Sequence, residues 1–159
     1  MAVGLLGAGL CGCGGGGGGA PAMAGDATTA AGQQGKARQG KSGTDPRCVN
    51  QLGGFLGSLD RVRDQLVAGV TYEQYVVELN DARAAYAKLP VEQLRLDCLR
   101  RVGTTGEQAL NRYIAAAETW SECVEVPGCQ SASIEAKLQR KWRQGSRLLS
   151  AAEDAAAGK

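Results

Sequence analysis

The sequence predicts an all-α fold, a small antiparallel helical bundle of four main helices and one short one. From Pro46 onward, apolar residues recur at intervals of three and four, the spacing that places side chains on one face of an α-helix. No stretch alternates apolar and polar residues for long enough to indicate a strand. Glycine, proline and capping residues divide this pattern into segments with short connections, which favour antiparallel neighbours.

The first predicted helix carries one apolar stripe and three glycines. The stripe consists of Cys48, Leu52, Phe55, Leu59, Val62 and Leu66. Gly53, Gly54 and Gly57 lie on the same helix, where each glycine costs about 1 kcal/mol relative to alanine. We expect them to let a neighbouring helix approach closely. Gly69 is expected to end the segment.

The second helix is expected to begin at a capping box, with Thr71 as the N-cap and Gln74 reaching back to it. The apolar stripe that follows consists of Tyr72, Tyr75, Leu79, Ala82, Tyr86 and Leu89. Pro90 is expected to stop this helix, because proline lacks the N–H of a helix interior but fits the first turn of the next helix.

A third, shorter helix is predicted between Pro90 and Gly103. Its stripe consists of Val91, Leu94, Cys98 and Val102. We expect Gly103 to end this helix, since glycine is typical of helix C-termini. Thr104 and Glu107 have the spacing of a second capping box, which predicts that a new helix begins there.

Two longer helices complete the predicted bundle. The fourth stripe consists of Leu110, Tyr113, Ile114, Ala117, Trp120 and Val124. The turn from Val126 to Cys129 then breaks the chain, and Ser131 or Ser133 is expected to cap the last helix. The last stripe consists of Ile134, Leu138, Trp142, Gly145, Leu149 and Ala152. The helical domain is therefore expected to span residues 46–157.

The first 45 residues differ in composition from the rest of the chain. They hold 15 of the 24 glycines, including the unbroken run Gly14 to Gly19, and no aromatic residue. Such a segment cannot bury enough apolar surface to offset the backbone entropy of folding. Residues 13–45 are therefore expected to form a disordered, glycine-rich tether.

A short apolar run precedes two cysteines in the N-terminal string MAVGLLGAGLCGC. This run is far shorter than the roughly 20 residues of a membrane-spanning helix. Leu10-Cys11-Gly12-Cys13 resembles the lipobox of bacterial lipoproteins, with an aliphatic residue three before a cysteine and a small residue just before it. The resemblance implies a signal-peptide-like segment at 1–12, cleavage before Cys13, and lipidation of that thiol and the new amino terminus. No Lys or Arg precedes the run, which departs from the usual signal-peptide pattern.

The predicted helical domain contains four cysteines, Cys48, Cys98, Cys123 and Cys129. An even number in a small exported domain indicates two disulfides, and four free thiols or a zinc site are the alternatives. The zinc site would need scattered thiolates, because the chain has no histidine and no closely spaced pair of these cysteines. Of three possible pairings, we predict Cys123–Cys129, which flanks a Pro-Gly turn, and Cys48–Cys98, which joins two core-facing positions.

Composition and motifs exclude several classes of function. The chain has 18 Lys and Arg against 16 Asp and Glu, and this net charge of +2 argues against a nucleic-acid-binding protein. It contains no histidine, which excludes imidazole catalysis and His-ligated metal sites. No phosphate-binding loop, dinucleotide fingerprint or nucleophile elbow occurs. Paired carboxylates such as Glu118 and Glu122 are interpreted as a solvated helix face. We expect no enzyme activity, no cofactor and no metal.

One cluster of cations stands above this background. Five basic residues crowd the last helix near a single carboxylate, Glu135; they are Lys137, Arg140, Lys141, Arg143 and Arg147. They are interpreted as a face for an anionic partner, such as lipid headgroups or a cell-wall polymer, with an ordinary solvated helix face as the alternative.

Together, these patterns predict an extracytoplasmic protein, anchored to the cell membrane or envelope through Cys13. Its helical domain is expected to bind another protein or an envelope polymer. The alternative is a non-lipidated helical protein with a structural or protective role and no specific ligand.

Overall fold

The computed structural model describes residues 46–159. Its helices are α1 (Pro46–Ala68), α2 (Tyr72–Ala87), α3 (Leu96–Cys98), α4 (Thr104–Val124) and α5 (Ser131–Ala156). A 3₁₀ turn, Val91–Gln93, precedes α3, and a π-helical turn, Leu99–Gly103, joins α3 to α4. Residues 46–159 contain no strand, so the predicted all-α fold is confirmed for them. The segments predicted at 1–12 and 13–45, including Cys13, lie outside the described residues.

The four long helices form an antiparallel bundle. Each helix packs against its neighbour in the bundle, and α5 closes the ring against α1. Phe55 in α1 contacts Tyr86 near the end of α2, with ring centroids 5.3 Å apart. Arg61, which comes later in α1, forms an ion pair with Glu78, which comes earlier in α2. Residues later in α1 thus meet residues earlier in α2, as the short connection between these helices predicts.

The core is built from the predicted stripes. Its largest fully buried side chains are Tyr75, Tyr113, Phe55, Leu52, Leu59, Leu79, Leu149 and Val62. The hydroxyl of Tyr75 donates a hydrogen bond to the main-chain oxygen of Tyr113 at 2.9 Å, which satisfies the one polar atom of this buried ring. Two stripe residues are largely exposed: Val91 is 50% exposed and Val124 is 58% exposed. They lie in the 3₁₀ turn and in the last turn of α4, beyond the packed length of the helices.

The capping box of α2 is confirmed. The main-chain N–H of Gln74 donates to the Thr71 hydroxyl at 3.3 Å, and the Thr71 N–H donates to the Gln74 side chain at 3.0 Å. Gly69 lies just before this box with φ of +88°, a conformation that glycine adopts without steric cost. The sharp turn between α1 and α2 is therefore encoded by local residues.

The second predicted capping box is wrong. Gly103 has helical backbone angles (φ −59°, ψ −54°), and the Thr104 hydroxyl donates back to the Leu99 carbonyl at 3.2 Å instead of capping a new helix. The chain runs without a break from α3 through the π-helical turn into α4. Val102 is only 2% exposed and the turn packs against α5, so tertiary packing overrides the local stop signal.

The start of α5 also differs from the prediction. Neither Ser131 nor Ser133 is the N-cap, because Gln130 occupies that position with an extended backbone and no side-chain cap. The Ser133 hydroxyl donates a hydrogen bond to the Gln130 carbonyl at 2.7 Å. It therefore does not cap the N–H groups of the first turn.

The four cysteines pair as predicted. Cys48 in the first turn of α1 is bonded to Cys98 at the end of α3, with Cα atoms 5.6 Å apart and a sequence separation of 50. Cys123 in the last turn of α4 is bonded to Cys129, with Cα atoms 5.4 Å apart and a separation of 6. One bridge is thus long-range and the other local.

The three glycines of α1 do not permit the close helix approach that the sequence predicts. A Cβ atom added at Gly53, Gly54 or Gly57 would meet nothing within 4 Å. All three lie away from the buried stripe of α1, so no neighbouring helix covers them.

The close approaches occur instead at Gly106 in α4 and Gly145 in α5. A Cβ on Gly106 would lie 2.9 Å from a ring carbon of Phe55, and a Cβ on Gly145 would lie 2.9 Å from the ring of Tyr113. Two large aromatic rings of the core therefore rest directly against glycine backbone on a neighbouring helix.

Candidate anionic-partner site

The predicted cations are held by α5, the longest helix of the bundle. Its buried residues are Leu138, Gly145, Leu149, Ala152 and Ala156. This stripe packs against α4 and α1 and fixes the rotation of the helix, so most of the polar side chains of α5 face outward.

The five basic residues Lys137, Arg140, Lys141, Arg143 and Arg147 are here named the α5 cations. All are exposed except Lys141, which is half-buried. None of them forms an ion pair with another residue of 46–159. The nearest carboxylate in the sequence of α5, Glu135, accepts a hydrogen bond from Gln139 at 3.2 Å. The α5 cations are therefore available to a ligand.

The structure does not gather the α5 cations on one flat face. At about 100° per residue, Arg147 lies roughly 40° around the helix from Arg143, whereas Lys141 lies roughly 160° from it. Arg143 and Arg147 are brought together at a groove, while Lys137, Arg140 and Lys141 lie outside that groove. Of the five predicted cations, two thus line the groove and three do not.

The groove lies between α1 and α5 and has a volume of about 360 Å³. Its apolar lining is contributed by Leu66 and Val67 of α1 and by Trp142 of α5. Its polar lining consists of Arg63, Gln139, Arg143, Ser146 and Arg147. It is thus an apolar depression with guanidinium groups of both helices around it.

Arg63 is the cation that α1 contributes, and it is already paired. It forms ion pairs with Asp60 and with Glu153 of α5, the latter at 3.2 Å, and donates to the Ser150 hydroxyl at 3.2 Å. Burial lowers the pKa of Arg63, but Asp60 and Glu153 outweigh burial and raise it. Arg63 thus ties α1 to α5, and the unpaired positive charge of the groove comes from Arg143 and Arg147.

Trp142 connects the groove to an aromatic cluster in the core. Its ring centroid lies 5.7 Å from that of Trp120 and 5.9 Å from that of Tyr75, in edge-on arrangements that favour aromatic pairs. Tyr72 joins the cluster at 5.7 Å from Trp120. Burial raises the pKa of the Tyr75 phenol, and the nearby Trp142 indole opposes only part of that rise. The indole ring therefore packs against one fully buried partner, Tyr75, and one half-buried partner, Trp120.

Potential metal ligands and paired carboxylates are the remaining site candidates among the described residues. Within 46–159, no three His, Cys, Asp or Glu side chains are placed to hold a metal ion. Glu118 and Glu122 both lie exposed on α4. None of the helices in 46–159 combines the length and apolar character needed to cross a bilayer.

No protein-family model, curated protein or solved structure matches this chain. Its function is therefore inferred from its own residues.

The sequence indicated the α5 cations but not the groove. Arg63 and Val67 lie in a mixed-charge stretch of α1 that carries no motif, and about 80 residues separate them from Arg143 and Arg147. Leu66 packs against the core as its stripe predicts, but it is half-buried and also lines the groove. Only the docking of α1 against α5 brings these residues together.

Proposed function

We propose that this protein is lipid-anchored in a bacterial cell envelope and that its helical domain binds an anionic protein or envelope polymer through α5. The observation that carries the binding proposal is the α5 cations themselves. Five basic residues between 137 and 147 have no ion-pair partner among residues 46–159, and Glu135 is the one carboxylate of α5 beside them. A helix surface of this kind attracts anionic groups.

Two observations support the envelope location. The first is the lipobox-like Leu10-Cys11-Gly12-Cys13, which supplies a thiol for lipidation. The second is the pairing of all four cysteines of the helical domain in bridges, because disulfides persist in oxidising compartments outside the cytoplasm. Binding, rather than catalysis, is the activity that the described residues favour.

Lipid anchoring is tested by the substitution Cys13→Ser in a bacterial host, with Cys11→Ser as the matched control. We expect the wild type and Cys11→Ser to partition into the detergent phase of a Triton X-114 extraction and Cys13→Ser to remain in the aqueous phase, because only Cys13 receives acyl chains. Detergent partitioning of Cys13→Ser equal to that of the wild type would contradict the anchor.

Anionic binding is tested with inorganic polyphosphate, a polymer without an apolar part. In the Cys13→Ser background, the five α5 cations are replaced by Gln, and we expect polyphosphate binding to be lost. The matched control replaces five other exposed cations by Gln: Arg83, Lys88, Arg100, Arg101 and Arg112. It removes the same charge from the domain, so equal loss in both variants would show that only net charge matters and would contradict the site.

A further inference from the structure

We propose that the groove between α1 and α5 binds one small amphiphilic anion, a phosphate or carboxylate group on a short apolar chain. This inference deepens the proposed function and rests on its assignment of α5 to an anionic partner. It adds a specific site and a specific ligand chemistry, because the groove combines two unpaired guanidinium groups with an uncovered apolar surface.

The anionic group would meet Arg143 and Arg147. These residues are one helical turn apart, both line the groove and both are exposed. Guanidinium groups bind phosphate and carboxylate oxygens through paired hydrogen bonds, which favours them over other cations for this chemistry. Arg63 lies in the same groove, but its charge is compensated by Asp60 and Glu153. The anion is therefore directed to α5.

The apolar chain would cover Leu66, Val67 and Trp142. Val67 is 86% exposed, the largest exposed fraction among the large apolar residues of 46–159, and it lies beside the half-buried Leu66 and Trp142. Apolar surface that is uncovered next to charged groups is typical of ligand-binding grooves, because its burial is favourable. Trp142 is held rigidly by Trp120 and Tyr75, so the ligand would meet a fixed surface.

The dimensions favour one small molecule over a helix or a bilayer. The volume of about 360 Å³ falls in the lower part of the range of small-molecule sites, roughly 300–1,000 Å³. The groove follows α5 from Gln139 to Arg147, or roughly 12 Å, which is short for a docked amphipathic helix. A bilayer would need cations on one flat surface, whereas Lys141 and Arg143 point to different sides of α5.

The test uses the full chain with Cys13→Ser, so that no acyl chain of its own competes, and octyl phosphate below its micelle-forming concentration as the probe. The chain has two tryptophans, so Trp120→Phe leaves Trp142 as the reporter. We expect saturable, one-site changes in Trp142 fluorescence. Octanol and inorganic phosphate should each bind about tenfold or more weakly, because each has only half of the required chemistry.

Calorimetric titration of the chain that retains both tryptophans gives the same affinity without relying on Trp120→Phe. The decisive variant is Arg143→Gln with Arg147→Gln, and the matched control is Lys137→Gln with Arg140→Gln, which removes the same charge from α5 outside the groove. We expect octyl phosphate affinity to fall about tenfold or more in the first and to stay within about twofold in the second. Equal effects in both variants would overturn the proposed site.

Two further measurements separate this inference from the proposed function. Polyphosphate binding without octyl phosphate binding would overturn the groove site and leave polymer binding by the α5 cations standing. Octyl phosphate binding without polyphosphate binding would support the groove and contradict polymer binding by the α5 cations. Binding to phosphatidylglycerol vesicles without binding to monomeric octyl phosphate would overturn the groove in favour of a membrane surface.

Discussion

The two ends of the bundle are each tied by one disulfide, but the two bonds constrain the chain differently. At the end here named the tail end, which contains residue 46, Cys48–Cys98 joins segments 50 residues apart. At the opposite end, named the turn end, Cys123–Cys129 closes a loop with a separation of 6. In the loop-entropy account these bridges contribute about 4 and about 2 kcal/mol to the free energy of unfolding.

This difference implies that the two ends depend on different interactions. The tail end is held by a bond that restricts the unfolded chain. At the turn end the bridge is local, and the helices there also meet in the aromatic cluster of Tyr72, Tyr75, Trp120 and Trp142. Such aromatic pairs each contribute about 0.5–1.5 kcal/mol beyond the burial of their surface.

Removing the tail-end bridge is the largest expected perturbation. We predict that Cys48→Ala with Cys98→Ala lowers the free energy of unfolding by about 4 kcal/mol, because the unfolded chain gains the entropy of an open 50-residue loop. Urea unfolding of the Cys13→Ser chain under non-reducing conditions measures this loss.

The matched control is removal of the turn-end bridge. Cys123→Ala with Cys129→Ala should lower the free energy of unfolding by about 2 kcal/mol, half the effect at the tail end. Equal losses in the two double variants would mean that loop length does not decide the contribution of these bonds, and the contrast between the ends would disappear.

The next prediction concerns packing inside the tail end. Gly106→Ala places a methyl group 2.9 Å from a ring carbon of Phe55 and 3.2 Å from Leu56. Both side chains are buried and have little room to shift, so we expect the free energy of unfolding to fall by about 2 kcal/mol. Urea unfolding measures the loss, and an unchanged or raised midpoint would show that Phe55 moves aside freely.

The helices were predictable because their signals are local. Three- and four-residue spacing, the capping box at Thr71 and the turn at Gly69 each depend on residues within a few positions. The stop signal at Gly103 is just as local, yet the structure overrides it. The preceding residue, Val102, is buried, and the unbroken helix keeps its side chain in the core.

The roles of the glycines and of the cations could not be predicted from local signals. Whether a glycine admits a neighbour depends on which side of its helix faces that neighbour, and this is set by docking rather than by sequence spacing. Gly53 and Gly106 therefore look alike in the sequence but differ in the fold. The groove likewise needs Arg63 and Arg147 from helices that are distant in sequence.

A smaller effect is expected at Tyr75, which lies in the aromatic cluster of the turn end. Tyr75→Phe removes the hydrogen bond to the Tyr113 carbonyl and should lower the free energy of unfolding at neutral pH by about 1 kcal/mol. Because burial raises the pKa of Tyr75 above its ordinary 10.0, the neutral phenol is favoured in the folded state. The contribution of the neutral Tyr75 phenol to the free energy of unfolding is therefore present below about pH 10 and is lost as the pH rises further.

We therefore expect the free energy of unfolding of the wild type to fall more steeply above about pH 10 than that of Tyr75→Phe. Urea unfolding at a series of alkaline pH values measures both slopes. Burial also raises the pKa of Tyr113 and Tyr86, so the slope of the variant should be reduced but not zero. Identical slopes would contradict the buried, neutral state of Tyr75.

The smallest predicted effect has the opposite sign. Gly53 lies in the interior of α1, close to Phe55 in sequence, but a Cβ there would meet nothing within 4 Å. Gly53→Ala therefore adds no clash and removes the conformational freedom of glycine from the unfolded chain, which should raise the free energy of unfolding by about 0.5–1 kcal/mol. The same urea experiment compares it with Gly106→Ala, an identical chemical change in the same half of the bundle. If both substitutions destabilise the domain, the predicted contrast between the two glycines is contradicted. Changes of opposite sign in the free energy of unfolding would show that the tail end is tightly packed at Gly106, which faces the core, and open at Gly53, which does not.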